Sequence, residues 1–258
     1  LTTEGIGTES AVGLLMGRSR ELAVGMIAAL YAGAAMLPLD PWQPPARLAT
    51  IAADAAPATI LTTADIIRLG DMPAGPSYLP VRLSAPETQP RLAAGAMATH
   101  PQALAYMLYT SGSTGAPKGV GCTHAGLLNM LAEVDRLAPL GPNDRCAWWT
   151  SPGFDVTMYE VFAAFRAGAA LITCPDDVHD DADRFAAWLA AQRITSAYVP
   201  PHLLPGLAQW AADHPGRTAL RRVLVGVEPI PEPLLRQINR MAPGLVIVNG
   251  YGPTEATV

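Results

Sequence analysis

Apolar, β-rich runs alternate with helix-forming patterns along most of the chain, and that alternation constrains the fold more than any single motif. Thr59–Leu61, Ala105–Tyr109, Cys146–Thr150, Ala169–Thr173, Ala197–Val199, Val223–Val227 and Leu245–Val248 read as strands. Pro45–Ala55, Ala125–Ala138, Thr157–Ala167, Asp181–Gln192, His202–Ala212 and Pro231–Met241 read as helices. Strand and helix in turn predict an α/β fold with largely parallel sheets. Uniformly apolar runs such as Ala169–Thr173 suit sheets sandwiched by helices, with both faces covered. The 258 residues, 50% of them hydrophobic, suffice for one large domain or two modest ones. Met72 to Gln89, rich in Pro, Gly and Ser, reads as a surface connection between two sheet regions.

Composition narrows the function classes. A net charge of -5, with one lysine and scattered arginines, offers no basic surface and disfavours nucleic acid as a partner. Leu22 to Leu39 carries no charge over a length at the lower edge of a membrane span. Gly33 and Pro38 break it, so it reads as a short helix, a glycine stop and a buried strand (Ala34–Leu39) rather than a span. Cys122, Cys146 and Cys174 form no Cys-x-x-Cys pair and are odd in number, which predicts buried reduced thiols and a cytoplasmic setting. With no starting Met, the chain reads as a cut from a longer polypeptide.

The segment richest in chemistry is Tyr109-Thr110-Ser111-Gly112-Ser113-Thr114-Gly115-Ala116-Pro117-Lys118-Gly119, directly after a predicted strand. Its glycines and hydroxyls suit a flexible loop that wraps phosphate oxygens, with one ammonium to neutralise them. A plain surface connection has the same composition. Against that stands Lys118, the only lysine in a chain that otherwise uses arginine for cations. Since Gly119 follows it where Ser or Thr would be required, this is not a Walker A loop.

Thr110 to Gly119 resembles the signature loop of the adenylate-forming superfamily, and other motifs narrow the likeness to adenylation domains of nonribosomal peptide synthetases. Leu30 to Pro41 resembles the second core motif, with Tyr31 and Met36 where Lys and Tyr are usual. Phe154-Asp155-Val156-Thr157 is similar to the fourth, and Asn249-Gly250-Tyr251-Gly252-Pro253-Thr254-Glu255 to the fifth. The resemblance implies the large N-terminal subdomain of that fold, missing its start. The ribose-binding Asp, the hinge and a C-terminal subdomain with the catalytic Lys would follow Val258, so no catalytic residue is assigned within the chain, which is expected to be inactive alone.

The implied reaction is attack of an amino-acid carboxylate on the α-phosphate of ATP, then transfer to the phosphopantetheine thiol of a downstream peptidyl carrier protein. By the same resemblance Thr110, Ser111, Gly112, Ser113, Thr114, Gly115 and Lys118 would hold phosphates, with Thr254 at the α-phosphate. Tyr251 would lie against the adenine, Gly252 would belong to the nucleotide site, and Glu255 would hold Mg²⁺ as a hard oxygen ligand. Asp155, Val156, Tyr159, Tyr198, Leu224, Gly226, Gly250 and Val258 would line the substrate pocket, Asp155 meeting the α-ammonium. Val227 stands where a second glycine is usual. Physics alone favours Asp155 as the cap of the helix it precedes, and it is the resemblance that turns the reading to the α-ammonium. His124 and His202 read as structural helix-start residues, and Trp148-Trp149 as core. The resemblance also admits a small MbtH-like activator. Two other functions stay open: an acyl- or aryl-CoA ligase core, which a pocket carboxylate disfavours, and a nucleotide-binding scaffold without turnover. With only Asp155 charged in the pocket, a neutral aliphatic substrate of small to medium size is expected.

Overall fold

The computed structural model describes residues 1–2, 5–70, 73, 77–81, 83, 99–111, 115–226 and 228–257. They form two compact units: Leu1–Leu128 with Ser151–Asp155 and Thr257, and Asn129–Thr150 with Val156–Ala256.

The first unit runs β1 (Ala11–Leu15), α1 (Arg20–Tyr31), β2 (Ala35–Leu39), α2 (Pro45–Ala55), β3 (Thr59–Thr62), α3 (Ala64–Leu69), β4 (Tyr78–Pro80), β5 (Leu104–Ser111) and β6 (Pro117–Thr123), and α4 (His124–Leu137) begins in it. Its sheet has the order β4-β3-β1-β2-β5-β6. All neighbours are parallel except β5 and β6. The uncharged stretch resolves as foreseen into α1, Gly33 in the left-handed region (φ +78°) and β2. Ser19 caps α1 by accepting the Leu22 amide at 3.2 Å. No helix among the described residues is long and apolar enough to cross a membrane. Leu15, Leu37, Leu39, Leu48, Ile51 and Ile60 close a core between the strands and α2.

In the second unit β7 (Arg145–Trp148), α5 (Val156–Ala167), β8 (Ala170–Thr173), α6 (Ala182–Ala191), β9 (Ser196–Tyr198), α7 (Leu204–Asp213), β10 (Arg222–Gly226), α8 (Glu232–Asn239) and β11 (Val246–Gly250) alternate strictly. The sheet, ordered β11-β10-β9-β7-β8, is parallel throughout. Alternate residues of β10 divide its labour. Val223 and Val225 join Phe185, Leu189, Leu203 and Leu207 in the core under α6 and α7, which leaves Arg222, Leu224 and Gly226 on the other face. On α5, nine successive residues from Val156 to Ala164 are buried, Thr157 and Glu160 among them, so the polar groups of this helix need partners within the protein.

Several readings change. The phosphate segment is not an open loop between strand and helix: it is the tip of an antiparallel β5–β6 hairpin, and Lys118 belongs to β6. Glycines at 119 and 121 erased the strand signal; a Cβ there would press on the Tyr109 ring (3.0 Å) and on the end of the Leu104 side chain (2.8 Å), which would have to shift. β1 and β4 were likewise hidden, by Gly13 and by the Pro-rich surroundings of Met72 to Gln89, most of which lies outside the described residues. β10 begins at Arg222 rather than Val223, since a charged residue had been excluded from an apolar run; Val227 lies outside the described residues. All three cysteines are buried and free, and burial pushes the Cys146 thiol up to about 12.

One ion-pair clamp, built on the buried Asp144, holds the start of β7. Burial raises the Asp144 carboxyl, but Arg221, Thr195 and the Gly141 amide outweigh it and hold the group below its usual range. Arg221 Nη2 reaches both carboxylate oxygens at 2.6 and 2.7 Å. A depressed carboxyl contributes stability that is complete above the ordinary aspartate range and is lost as pH falls through the lowered value. Asp144→Asn is therefore expected to cost about 1–3 kcal/mol at neutral pH, and the difference from the parent in urea titrations should shrink once the pH falls below about 4.

Candidate active site

The hairpin tip is anchored at both ends. Thr110 lies opposite Lys118 and Ser111 opposite Pro117 in the β5–β6 register. This places the one ammonium beside two hydroxyl residues, and Lys118 and Ser111 are exposed. Gly115 turns the chain at φ +84°, a conformation a side chain rarely adopts. Gly112, Ser113 and Thr114 lie outside the described residues. The stem is braced from α2, where Arg47 Nη2 donates to the Tyr109 carbonyl at 3.1 Å and the Tyr109 hydroxyl donates to Asp54 at 2.6 Å. Burial, and then Asp54, raise that phenol well above its ordinary range.

Asp155 is 8% exposed and directly precedes α5. Within the first unit its carboxylate is near Tyr106 of β5. Burial first, then Cys122, then Asp155 push that phenol upward. The Ser151 hydroxyl donates to Asp40, tying the segment before Asp155 to the end of β2. His124 opens α4, and burial lowers its imidazole. Trp148 is core, its indole donating to Thr157 at 3.3 Å. Trp149 is only partly buried and stacks on His179 with centroids 4.0 Å apart. His202 sits in the short turn Pro201–Leu203 ahead of α7.

Five of the expected pocket positions come together in the second unit. Tyr198 pairs with Leu224 across β9 and β10, and Gly226 pairs with Gly250 across β10 and β11. Tyr159 of α5 and Tyr198 line the same small cavity. Tyr159, Tyr198 and Leu224 are all buried, as is Val156 at the head of α5. Burial pushes the Tyr159 phenol up to about 12, against the pull of the Arg222 guanidinium. Gly226 carries a different meaning from the volume it was expected to leave, because a Cβ there would lie 2.1 Å from the Gly250 carbonyl oxygen. Close backbone approach demands that glycine. At Gly250 a Cβ would meet Leu224 at an ordinary 3.5 Å, so only this position leaves room in the wall. Tyr251 (96% exposed), Gly252 and Glu255 lie open to solvent after β11, with Thr254 and Glu255 in the short turn Thr254–Ala256. Val258 lies outside the described residues.

Besides Asp144, two buried charges escaped the sequence reading. Glu160 is 2% exposed and accepts the amides of Trp149 and Thr150 at 3.0 and 2.9 Å, satisfying backbone donors just past β7. Arg222 is equally buried on β10. For Glu160 the available signal was a lone charge inside an otherwise apolar run, which in a buried element requires a dedicated partner; Arg222, next to Arg221 at the edge of its run, gave no such signal.

The family model for AMP-binding enzymes matches residues 1–258, and the chain belongs to that family. It is 37% identical, over its whole length, to the probable non-canonical nonribosomal peptide synthetase CymA of Salinispora arenicola, of which it covers 3%. It is also 35% identical to the L-proline--[L-prolyl-carrier protein] ligase of Streptomyces coelicolor, covering 52% of that protein. Among solved structures, the α-methyl-L-serine-AMP bound form of the nonribosomal peptide synthetase FmoA3 superposes with a TM-score of 0.86 at 28% identity, over all of this chain and 29% of that one. The fold is thus that of a nonribosomal peptide synthetase adenylation domain, in part.

The two wall glycines should separate on substitution. Gly226→Ala is expected to cost about 3 kcal/mol or more, because backbone and not a mobile side chain blocks the methyl. Gly250→Ala should fold with a nearly unchanged melting temperature. Circular-dichroism melts of both variants check this.

Proposed function

We propose that the protein carrying this chain activates an amino acid as aminoacyl-AMP at the expense of ATP. The observation that carries the reading is the hairpin tip, where Lys118 is held exposed beside Thr110 in a chain that matches the AMP-binding family end to end. The chain spans 3–5% of the first synthetases it matches and about half of the proline ligase.

In the reaction a carboxylate oxygen of the amino acid forms a bond to the α-phosphorus, the bond to the β-phosphate oxygen breaks, and pyrophosphate leaves with that electron pair. Charge builds on the phosphate oxygens, so positioned donors and cations lower the barrier. Lys118 neutralises the β- and γ-phosphates, and Thr110, Ser111 and the tip residues 112–115 donate to them. Thr254 serves the α-phosphate, while the exposed Tyr251, beside Gly252, offers a face for adenine. Asp155, buried directly ahead of α5, pairs with the substrate's α-ammonium. Among the described residues no three His, Cys, Asp or Glu gather as a metal centre. A single exposed carboxylate, Glu255, fits Mg²⁺ carried in by the nucleotide, since that ion is commonly held by one or two carboxylates, water and phosphates. It supplies charge neutralisation when bound.

Val156, Tyr159, Tyr198, Leu224, Gly226, Gly250 and Val258 line the side-chain pocket, and none of them is charged. The substrate is a neutral, small to medium aliphatic amino acid, because a charged side chain would be buried without a counter-ion. The acyl group then passes to the phosphopantetheine thiol of a downstream peptidyl carrier protein. The prolyl-carrier protein named for the Streptomyces ligase supports that step by analogy. An MbtH-like protein completes the proposed partners, and the setting is cytoplasmic.

ATP–pyrophosphate exchange by the complete protein, with a panel of amino acids and carboxylic acids lacking the amino group, tests the reading. Valine- or leucine-like substrates should be the best; exchange driven by simple carboxylic acids, or best with Asp, Glu, Lys or Arg, would overturn it. Asp155→Asn is expected to raise the amino-acid KM by about two orders of magnitude, as for a buried pair broken on one side. Lys118→Ala should instead raise the ATP KM and lower kcat by roughly tenfold or more.

A further inference from the structure

We infer that Arg222 is a positioning residue for substrate specificity: its guanidinium, set against the Tyr159 ring, fixes the depth of the pocket that Tyr159, Tyr198 and Leu224 line. This rests on reading those three residues as the amino-acid pocket.

Arg222 is 2% exposed, and its fork is held from two other elements. Nε donates to the Ser196 hydroxyl of β9 at 3.1 Å, and Nη1 donates to the Ala138 carbonyl at 2.7 Å and to Asp135 of α4 at 3.1 Å. The guanidinium carbon lies 5.4 Å from the centre of the Tyr159 ring, within cation–π range. Among the described residues Nη2 of Arg222 has no hydrogen-bond partner, and the Tyr159 hydroxyl lies near that of Ser196, the group that also receives Nε of Arg222. Arg222 and Tyr159 line a cavity of about 10 Å³ together with Cys146, Glu160, Ser196 and Tyr198, the space of one water molecule.

Packing alone does not call for a cation here, since Met or Leu would fill the space without desolvating a charge. What a guanidinium adds is a rigid plane pinned by three acceptors, against which an aromatic ring keeps one orientation. The pinning coincides with the pocket rows. Arg222 precedes Leu224 and Gly226 on one face of β10, and its partner Ser196 precedes Tyr198 on the matching face of β9. One side chain therefore registers the three elements that carry the wall. Without it the Tyr159 ring gains freedom toward the cavity, and the pocket deepens.

The experiment is amino-acid-dependent pyrophosphate exchange by the complete protein, with melting temperatures measured in parallel. Arg222→Met should raise the KM of the preferred amino acid roughly tenfold, leave the ATP KM unchanged and shift the profile toward longer side chains. Arg222→Lys keeps a cation for Asp135 and the Ala138 carbonyl but lacks the flat face. It should recover stability relative to Arg222→Met without recovering the KM. Should Arg222→Met not fold, Ser196→Ala removes the acceptor of Nε and the hydroxyl beside Tyr159, and is expected to move the same KM by about two- to threefold. An active parent whose Arg222→Lys and Ser196→Ala variants keep its KM and profile would overturn the inference while leaving the proposed function standing. Recovery of the KM by Arg222→Lys would also overturn it. A parent with no amino-acid-dependent exchange would remove both.

Discussion

The central strands β7, β9 and β10 of the second unit are buried while its edge strands β8 and β11 are partly exposed, and the unit is built around the exclusion of water from those central strands. Each backbone donor beyond a strand end and each charge under α5 needs a partner supplied by the protein itself. Glu160 meets the first need by accepting the amides of Trp149 and Thr150. Its two bonds fasten α5 to the end of β7, and the adjacent Tyr159 inherits its position from that attachment. Arg222 meets the second by distributing its donors over Ser196, Asp135 and the Ala138 carbonyl. The apolar face of the same sheet, with Val223, Val225, Phe185 and Leu207, supplies the cohesive area.

The first unit solves a different problem. Its sheet ends in an edge hairpin, and that edge carries the groups proposed to meet phosphate. Loop flexibility alone would leave the donors scattered. Here the ends are locked by antiparallel pairing, by Arg47 on the Tyr109 carbonyl and by the Tyr109–Asp54 hydrogen bond, so that ordering entropy is already spent before a ligand arrives. The glycines of β6 are part of this rigidity. They leave space for the Tyr109 ring and for Leu104 across the hairpin.

The α/β alternation, the largely parallel character of the sheets, the helix at Asp181–Gln192 to within its two cap residues, and the motifs from Thr110 to Glu255 were legible in the sequence, because each is local. Apolar periodicity reports a strand or helix over a handful of residues, and a glycine–hydroxyl run reports its chemistry without a partner. Tyr159, Tyr198, Leu224 and Gly250 were legible as site residues only through their likeness to a family. Where local signals were contradictory the reading failed: Gly13 concealed β1, and glycines at 119 and 121 disguised β6 as loop.

Only tertiary structure decided what the lone buried charges and the close glycine do. Nothing near Arg222 in the sequence names Ser196, Asp135 or Tyr159, which lie 26, 87 and 63 positions away. Sequence showed that Gly226 was small; the 2.1 Å approach to the Gly250 carbonyl shows that it has to be. The physical reason is the same for both. A hydrogen bond or steric contact between distant positions depends on register and packing, which arise only when the whole sheet has formed, whereas composition and periodicity act within a turn or two of backbone.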